Sequence, residues 1–111
     1  MKVRLKVAGN KFLGMLGLAM RAGRVVIGFD EIANGAQRGK IHLVILSDEA
    51  SDGTKKKIRT KCEFYNIQKI TVNVSGEELG KRLGKVSAPV CIGITDEGFA
   101  RELERLAVCD D

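Results

Sequence analysis

The chain of 111 residues predicts an α/β protein, a three-layer α/β/α sandwich built on a mixed sheet of roughly four strands. Three observations carry that expectation. Short apolar runs of strand length alternate with amphipathic stretches of helical period from Asn10 to Leu106. The changes are marked by residues that start or stop helices: Asn10, Gly23, Gly39, Asn66, Ser75 and Asp96. Aromatic residues make up only 5% against 44% hydrophobic residues, so the core has to be aliphatic.

Residues 1–9 alternate Lys2, Arg4 and Lys6 with Val3, Leu5 and Val7, a period of two that fits an edge strand and equally an extended arm. The expected division is therefore an arm or edge strand over 1–9 and a single domain over 10–111. Asn10 is placed to cap a helix running to about Ala22, with Phe12, Leu13, Leu16, Ala19 and Met20 as its apolar stripe and Gly23 as its stop. Gly14 and Gly17, three apart, would let another element approach that helix closely. Arg24 to Ile27 is a short strand rich in β-branched residues. A second helix runs from Asp30 to about Arg38, with Gly39 after it. Ile41 to Leu46 is apolar except for His42 and suits a strand covered on both faces.

Thr54 to Tyr65 reads as a third helix, buried along Ile58, Cys62 and Tyr65 and ended by Asn66. Ile70, Val72 and Val74 alternate with polar residues as a strand. Ser75-Gly76-Glu77-Glu78 fits a capping box for a helix to about Gly84. Val90 to Ile94 is the last expected strand. Asp96 caps a final helix with Phe99, Leu103 and Leu106 inward and Glu97 spaced to pair with Arg101.

Composition narrows the function classes. The net charge is +5, and it is unevenly placed: residues 1–40 hold eight Lys or Arg and two acids, whereas the rest is close to balanced. A one-sided basic surface suits a polyanion. No run approaches the roughly 18 apolar residues of a membrane span. The basic N-terminus lacks the apolar core of a secretory signal. The expectation is a cytoplasmic protein with no membrane partner. Three cysteines, Cys62, Cys91 and Cys109, contain no Cys-x-x-Cys pair and accompany one histidine, so neither a metal site nor any other cofactor is expected.

Enzyme motifs fail one by one. Gly35-Ala36-Gln37-Arg38-Gly39-Lys40 has three residues between its glycines where a P-loop needs four, and Ile41 follows the lysine. Gly76 to Lys81 fails on the same count. His42 sits in an apolar run, where a lone histidine is more often structural than catalytic. No catalysis and no small-molecule substrate are expected; a small enzyme built on His42 or a cysteine is the weakest alternative.

Lys55, Lys56, Lys57, Arg59 and Lys61 crowd the third helix opposite its apolar stripe. Like charges at Lys55–Arg59 and Lys57–Lys61 repel one turn apart, a mild cost that an anionic partner relieves. Contacts made there would go to phosphates and would depend strongly on salt.

Two segments, about fifty residues apart, carry the rest. One is Gly28-Phe29-Asp30-Glu31-Ile32-Ala33-Asn34, at a strand-to-helix junction where free N–H groups and the positive helix end can receive a phosphate. The other is Lys85-Val86-Ser87-Ala88-Pro89, a small-residue loop between a helix and a strand. Together, and with the order of elements over residues 10–107, they resemble the L7Ae family of ribosomal proteins. Lys11 to Ala19, Lys61-Cys62 and Thr95 to Ala100 resemble a bacterial branch of it.

That resemblance implies binding of kinked RNA, the kink-turn, in which sheared G·A pairs follow a bulge. The family pattern Gly-x-Asn-Glu-x-x-Lys is matched at Gly28 and Glu31; Asp30 replaces the Asn and Asn34 the Lys. Glu31, an acceptor-only carboxylate, suits the N–H edge of a guanine. The family's Val-Ser-Arg-Pro loop, which packs on the flipped-out nucleotide, is matched by Val86, Ser87 and Pro89, with Ala88 in place of Arg. Ser47-Asp48-Glu49-Ala50 falls at a third RNA-facing loop of the family. The expected contact is thus Gly28, Asp30, Glu31, Asn34, Val86, Ser87, Ala88 and Pro89, with Arg38, Lys40 and Lys85 on phosphates. The expected partners are structured RNA, a kink-turn or ribosomal RNA, with ribosomal or assembly proteins as further partners. The alternative is a protein-interaction module of the same fold in ribosome assembly, with weak or no kink-turn affinity.

Overall fold

The computed structural model describes residues 5–85 and 87–109. The elements run β1 (Leu5–Val7), α1 (Asn10–Arg21), β2 (Val25–Ile27), α2 (Phe29–Gln37), β3 (Leu43–Ser47), α3 (Asp52–Tyr65), β4 (Lys69–Val72), α4 (Gly76–Leu83), β5 (Cys91–Ile94), α5 (Glu97–Leu106) and β6 (Val108–Cys109). The strands form one mixed sheet in the order β2-β5-β3-β4-β1-β6.

The three layers follow from which face each strand residue uses. Leu43 and Ile45 of β3 join a cluster with Phe12, Leu16, Leu79 and Leu103, which seats α1, α4 and α5 on one face. Val44 and Leu46 point the other way, to Ile32, Ala36, Ile58 and Cys62, which seats α2 and α3 on the opposite face. Every residue of β3 is therefore buried, as its unbroken apolar run requires.

Among the described residues the sheet has six strands against the roughly four expected. Residues 5–7 pair in parallel with β4, Leu5 opposite Thr71 and Lys6 opposite Val72. They also pair antiparallel with β6, Val7 opposite Val108. A strand of two residues such as β6 carries too little pattern to be read in the sequence.

Caps are the best-read features. Ser75 accepts from the Glu78 N–H, Asp96 from the Phe99 N–H, and Asn66 ends α3 in the left-handed region. Three boundaries differ. Gly9 rather than Asn10 holds the cap position of α1 and makes no side-chain bond. Ser51 caps α3, which starts at Asp52, two residues before the expected Thr54; the Ser51 hydroxyl accepts from the Thr54 N–H. His42 precedes β3 and is exposed; its backbone N–H donates to the Ile94 carbonyl at 2.9 Å. Of the two α1 glycines, buried Gly17 faces α4, where a Cβ would meet the Arg82 carbonyl at an ordinary 3.7 Å, so that approach does not require glycine; a Cβ on Gly14 would meet nothing within 4 Å.

Candidate nucleic-acid interface

Two segments meet at one end of the sheet because β2 and β5 are antiparallel neighbours, Ile27 opposite Ile92. The chain leaves β2 at Gly28, with φ 97° and ψ 156°, a region essentially confined to glycine. In that conformation the Gly28 N–H donates to the Cys91 carbonyl at 3.1 Å, while its own carbonyl accepts the Ile32 N–H and opens α2. Glycine brings no capping side chain, so the first N–H groups of α2 are left for solvent or a ligand. Asp30, Glu31 and Asn34 are exposed on this helix.

The loop from α4 to β5 arrives beside this junction. Gly84 turns left-handed at φ 69°, and the Lys85 N–H returns to the Gly80 carbonyl at 2.8 Å. Lys85, Ser87 and Ala88 are exposed and Pro89 is buried; Val86 lies outside the described residues. The loop lies flat on α4. A Cβ on Gly80 would stand 2.4 Å from the Ser87 carbonyl oxygen, and one on Gly76 2.9 Å from that of Ala88. These two glycines, one helical turn apart, hold the loop down. Sequence reading missed their role, although small residues four apart inside a helix were a visible signal.

The turn from β3 to α3 completes this end of the sheet. The Ser47 N–H donates to the Val90 carbonyl at 2.8 Å. Its buried hydroxyl donates to the Val74 carbonyl at 2.6 Å and accepts from the Glu49 N–H at 3.1 Å. The Glu49 carboxylate accepts from the Gly76 N–H at 2.9 Å, where a negative charge suits the start of α4. Gly28, Asp30, Glu31, Ser47 to Ala50, and Lys85 with Ser87 to Pro89 are thus gathered at one end.

Arg38 and Lys40 are not gathered with them. They follow the far end of α2, a helix of nine residues, about 13 Å from Gly28 along its axis. The expectation gives them phosphates, with Lys85, from one to two turns beyond Asn34. The straight run of α2 carries them to the opposite end of the sheet, near His42 and Ile94. Asn34 and Arg38 do share the exposed flank of α2 with Glu31, at intervals of three and four residues.

Lys57 of α3 was unanticipated here. Its Nζ stands 4.6 Å from the centre of the Phe29 ring, the first residue of α2. A cation is therefore held at the α2 junction by a neighbouring helix, which spacing along the chain does not reveal. Below it, burial pushes the Cys91 thiol above its ordinary range, partly offset by the Lys57 charge and by a hydrogen bond from the Gly28 backbone. Among the described residues no group of His, Cys, Asp and Glu is arranged to hold a metal ion. Nor is any helix among them long and apolar enough to cross a membrane.

This α/β/α frame defines a class. A sequence model of the ribosomal protein L7Ae/L30e/S12e/Gadd45 family matches residues 10–104, and the chain belongs to that family. Its bacterial YlxQ-type branch is represented by the RNA-binding protein YlxQ of Bacillus subtilis strain 168. That protein is 37% identical over 97 residues, covering 87% of this chain and 95% of its own. The large ribosomal subunit protein eL30 of Sulfolobus acidocaldarius is 33% identical over 95 residues, 86% of this chain and 91% of that one. A solved structure from Bacillus halodurans C superposes with a TM-score of 0.81 at 40% identity, over 88% of this chain and 97% of that chain.

Proposed function

We propose that this chain binds structured RNA of the kinked, kink-turn type without catalysing a reaction, at the end of the sheet where α2 begins and β5 is entered. The observation that carries this is the Gly28–Cys91 hydrogen bond. It ties the turn three residues before Glu31 to the strand entered four residues after Ser87, and both side chains are exposed, which supports one ligand reaching both. Glu31 accepts from a guanine edge, the small exposed Ser87–Ala88 segment packs on an unstacked base while buried Pro89 shapes the loop, and the open N–H groups of α2 with Lys85 take phosphates. Arg38 reaches only phosphates that follow the flank of α2. The names of the bacterial RNA-binding and archaeal ribosomal relatives support the same reading, as does their near-complete coverage. The setting is the cytoplasm, on the ribosome or its precursors.

Titration of a kink-turn RNA and of a straight duplex of equal length, each at low and high salt, tests the reading. Preference for the kinked RNA that survives added salt is expected, and Glu31→Ala reduces it. Equal, salt-sensitive binding of both RNAs overturns it. That result would favour the protein-interaction module instead, which Asp30 and Asn34 favour by standing where the family pattern has Asn and Lys.

A further inference from the structure

The bases of α4 and α5 contrast with those of α3. On α4 and α5 they are neutralised in ion pairs: Lys81 with Glu77, Arg82 with Glu78, Arg101 with Glu97 and Arg105 with Glu102. On α3, Lys55, Lys56, Lys57, Arg59 and Lys61 form no such pair among the described residues. Their mutual repulsion is left standing in the free protein. The same helix exposes Phe64, 77% accessible and touching Tyr65 edge-to-face with ring centres 4.8 Å apart. An aromatic ring so open contributes little to folding by burial, and it stands on the helix that carries these unpaired cations.

Geometry joins these features to the α2 junction. Lys57 marks the flank of α3 that faces α2, because its Nζ lies on the Phe29 ring. Lys61 and Phe64 follow on that flank at four and seven residues, so Phe64 lies about 10 Å further along the helix axis. We propose that this flank is a second RNA contact. It takes a single-stranded segment that leaves the kinked element, with phosphates on Lys57 and Lys61 and an unstacked base on the Phe64 ring. The proposal rests on the RNA-binding reading above and extends it to the substrate's flanking strand. The ligand is a polyanion carrying flat apolar faces, which matches a row of cations ending in an open ring. An acidic protein segment would satisfy the lysines and leave the ring unexplained.

The test uses the full chain with labelled kink-turn RNA, bare or extended by an oligouridine tail at either end, and with free oligouridine. The tail is expected to tighten binding at one end, and free oligouridine to bind weakly. Phe64→Ala is expected to remove about tenfold of the tail's gain, the size of one lost base–aromatic stack, and to leave the bare RNA unchanged. Phe64→Trp preserves the gain, and Lys57→Gln with Lys61→Gln lowers the salt dependence of tail binding. A tail that adds nothing at either end, or a gain that Phe64→Ala leaves intact, overturns the proposal. Loss of preference for kinked over straight RNA would instead overturn the parent reading, and the free oligouridine titration still decides this one.

Discussion

Gly28 donates its backbone N–H to the carbonyl of Cys91 at 3.1 Å, and this bond fastens the start of α2 to the first residue of β5. The bond exists because Gly28 holds φ 97° and ψ 156° at the point where strand becomes helix. Gly28→Ala is expected to cost about 1–3 kcal/mol of stability from backbone strain alone, since nothing within 4 Å would crowd the added Cβ. Urea unfolding measures it, and an alanine variant as stable as the parent would remove the conformational reason for glycine here.

Gly80 offers the opposite case, where space rather than φ is limiting. Alanine is the better helix former by up to ~1 kcal/mol, yet its Cβ would stand 2.4 Å from the Ser87 carbonyl oxygen. Gly80→Ala is expected to lose about 1–3 kcal/mol net and to displace the 85–89 loop. Gly53→Ala in α3, where the Cβ meets only the Ser51 hydroxyl at 3.9 Å, is expected to be neutral or stabilising. If the two variants behave alike in thermal unfolding, the loop is not held down by Gly80.

Ser47 is fully buried and its hydroxyl links β3 to the segment between β4 and α4 and to the turn into α3. Ser47→Ala leaves the Val74 carbonyl and the Glu49 N–H without that partner, at a cost of about 1–3 kcal/mol. Because Glu49 in turn holds the Gly76 N–H, amide exchange at Gly76 is expected to quicken. Unaltered exchange at that amide would show the two bonds to be independent.

Burial pushes the Cys62 thiol from 9.0 up to about 11, with the Lys69 charge opposing and Glu63 adding to the rise. Between those pH values the folded thiol keeps its proton after the unfolded one has lost it, so the folded state binds more protons. Stability therefore falls as pH rises through this window, and the contribution is fully present below pH 9. At about 1.4 kcal/mol per pH unit the loss amounts to roughly 2–3 kcal/mol. Cys62→Ala is expected to flatten the slope of unfolding free energy against pH there; a parallel slope would place the titration elsewhere.

Much of the fold is legible along the chain because its causes are local. Ser75, Asp96 and Asn66 act within three residues of themselves, and β3 announces its two buried faces through an unbroken apolar run. Glu31 and Ser87 were picked out as candidate contacts by the short patterns around them. Asn10 misled because Gly9 already holds the extended backbone that a cap requires. His42 misled because an apolar neighbourhood in sequence does not state where the sheet ladder begins.

Order along the chain settled the alternation of helices and strands, the three layers and the segments worth watching, since each depends on neighbours a few bonds away. Distances across the chain settled the remainder. The pairing of residues 5–7 between β4 and β6, the loop pressed on Gly76 and Gly80, and Lys57 resting on Phe29 join residues from different elements. Such contacts depend on sheet order and helix direction, which short-range patterns do not encode.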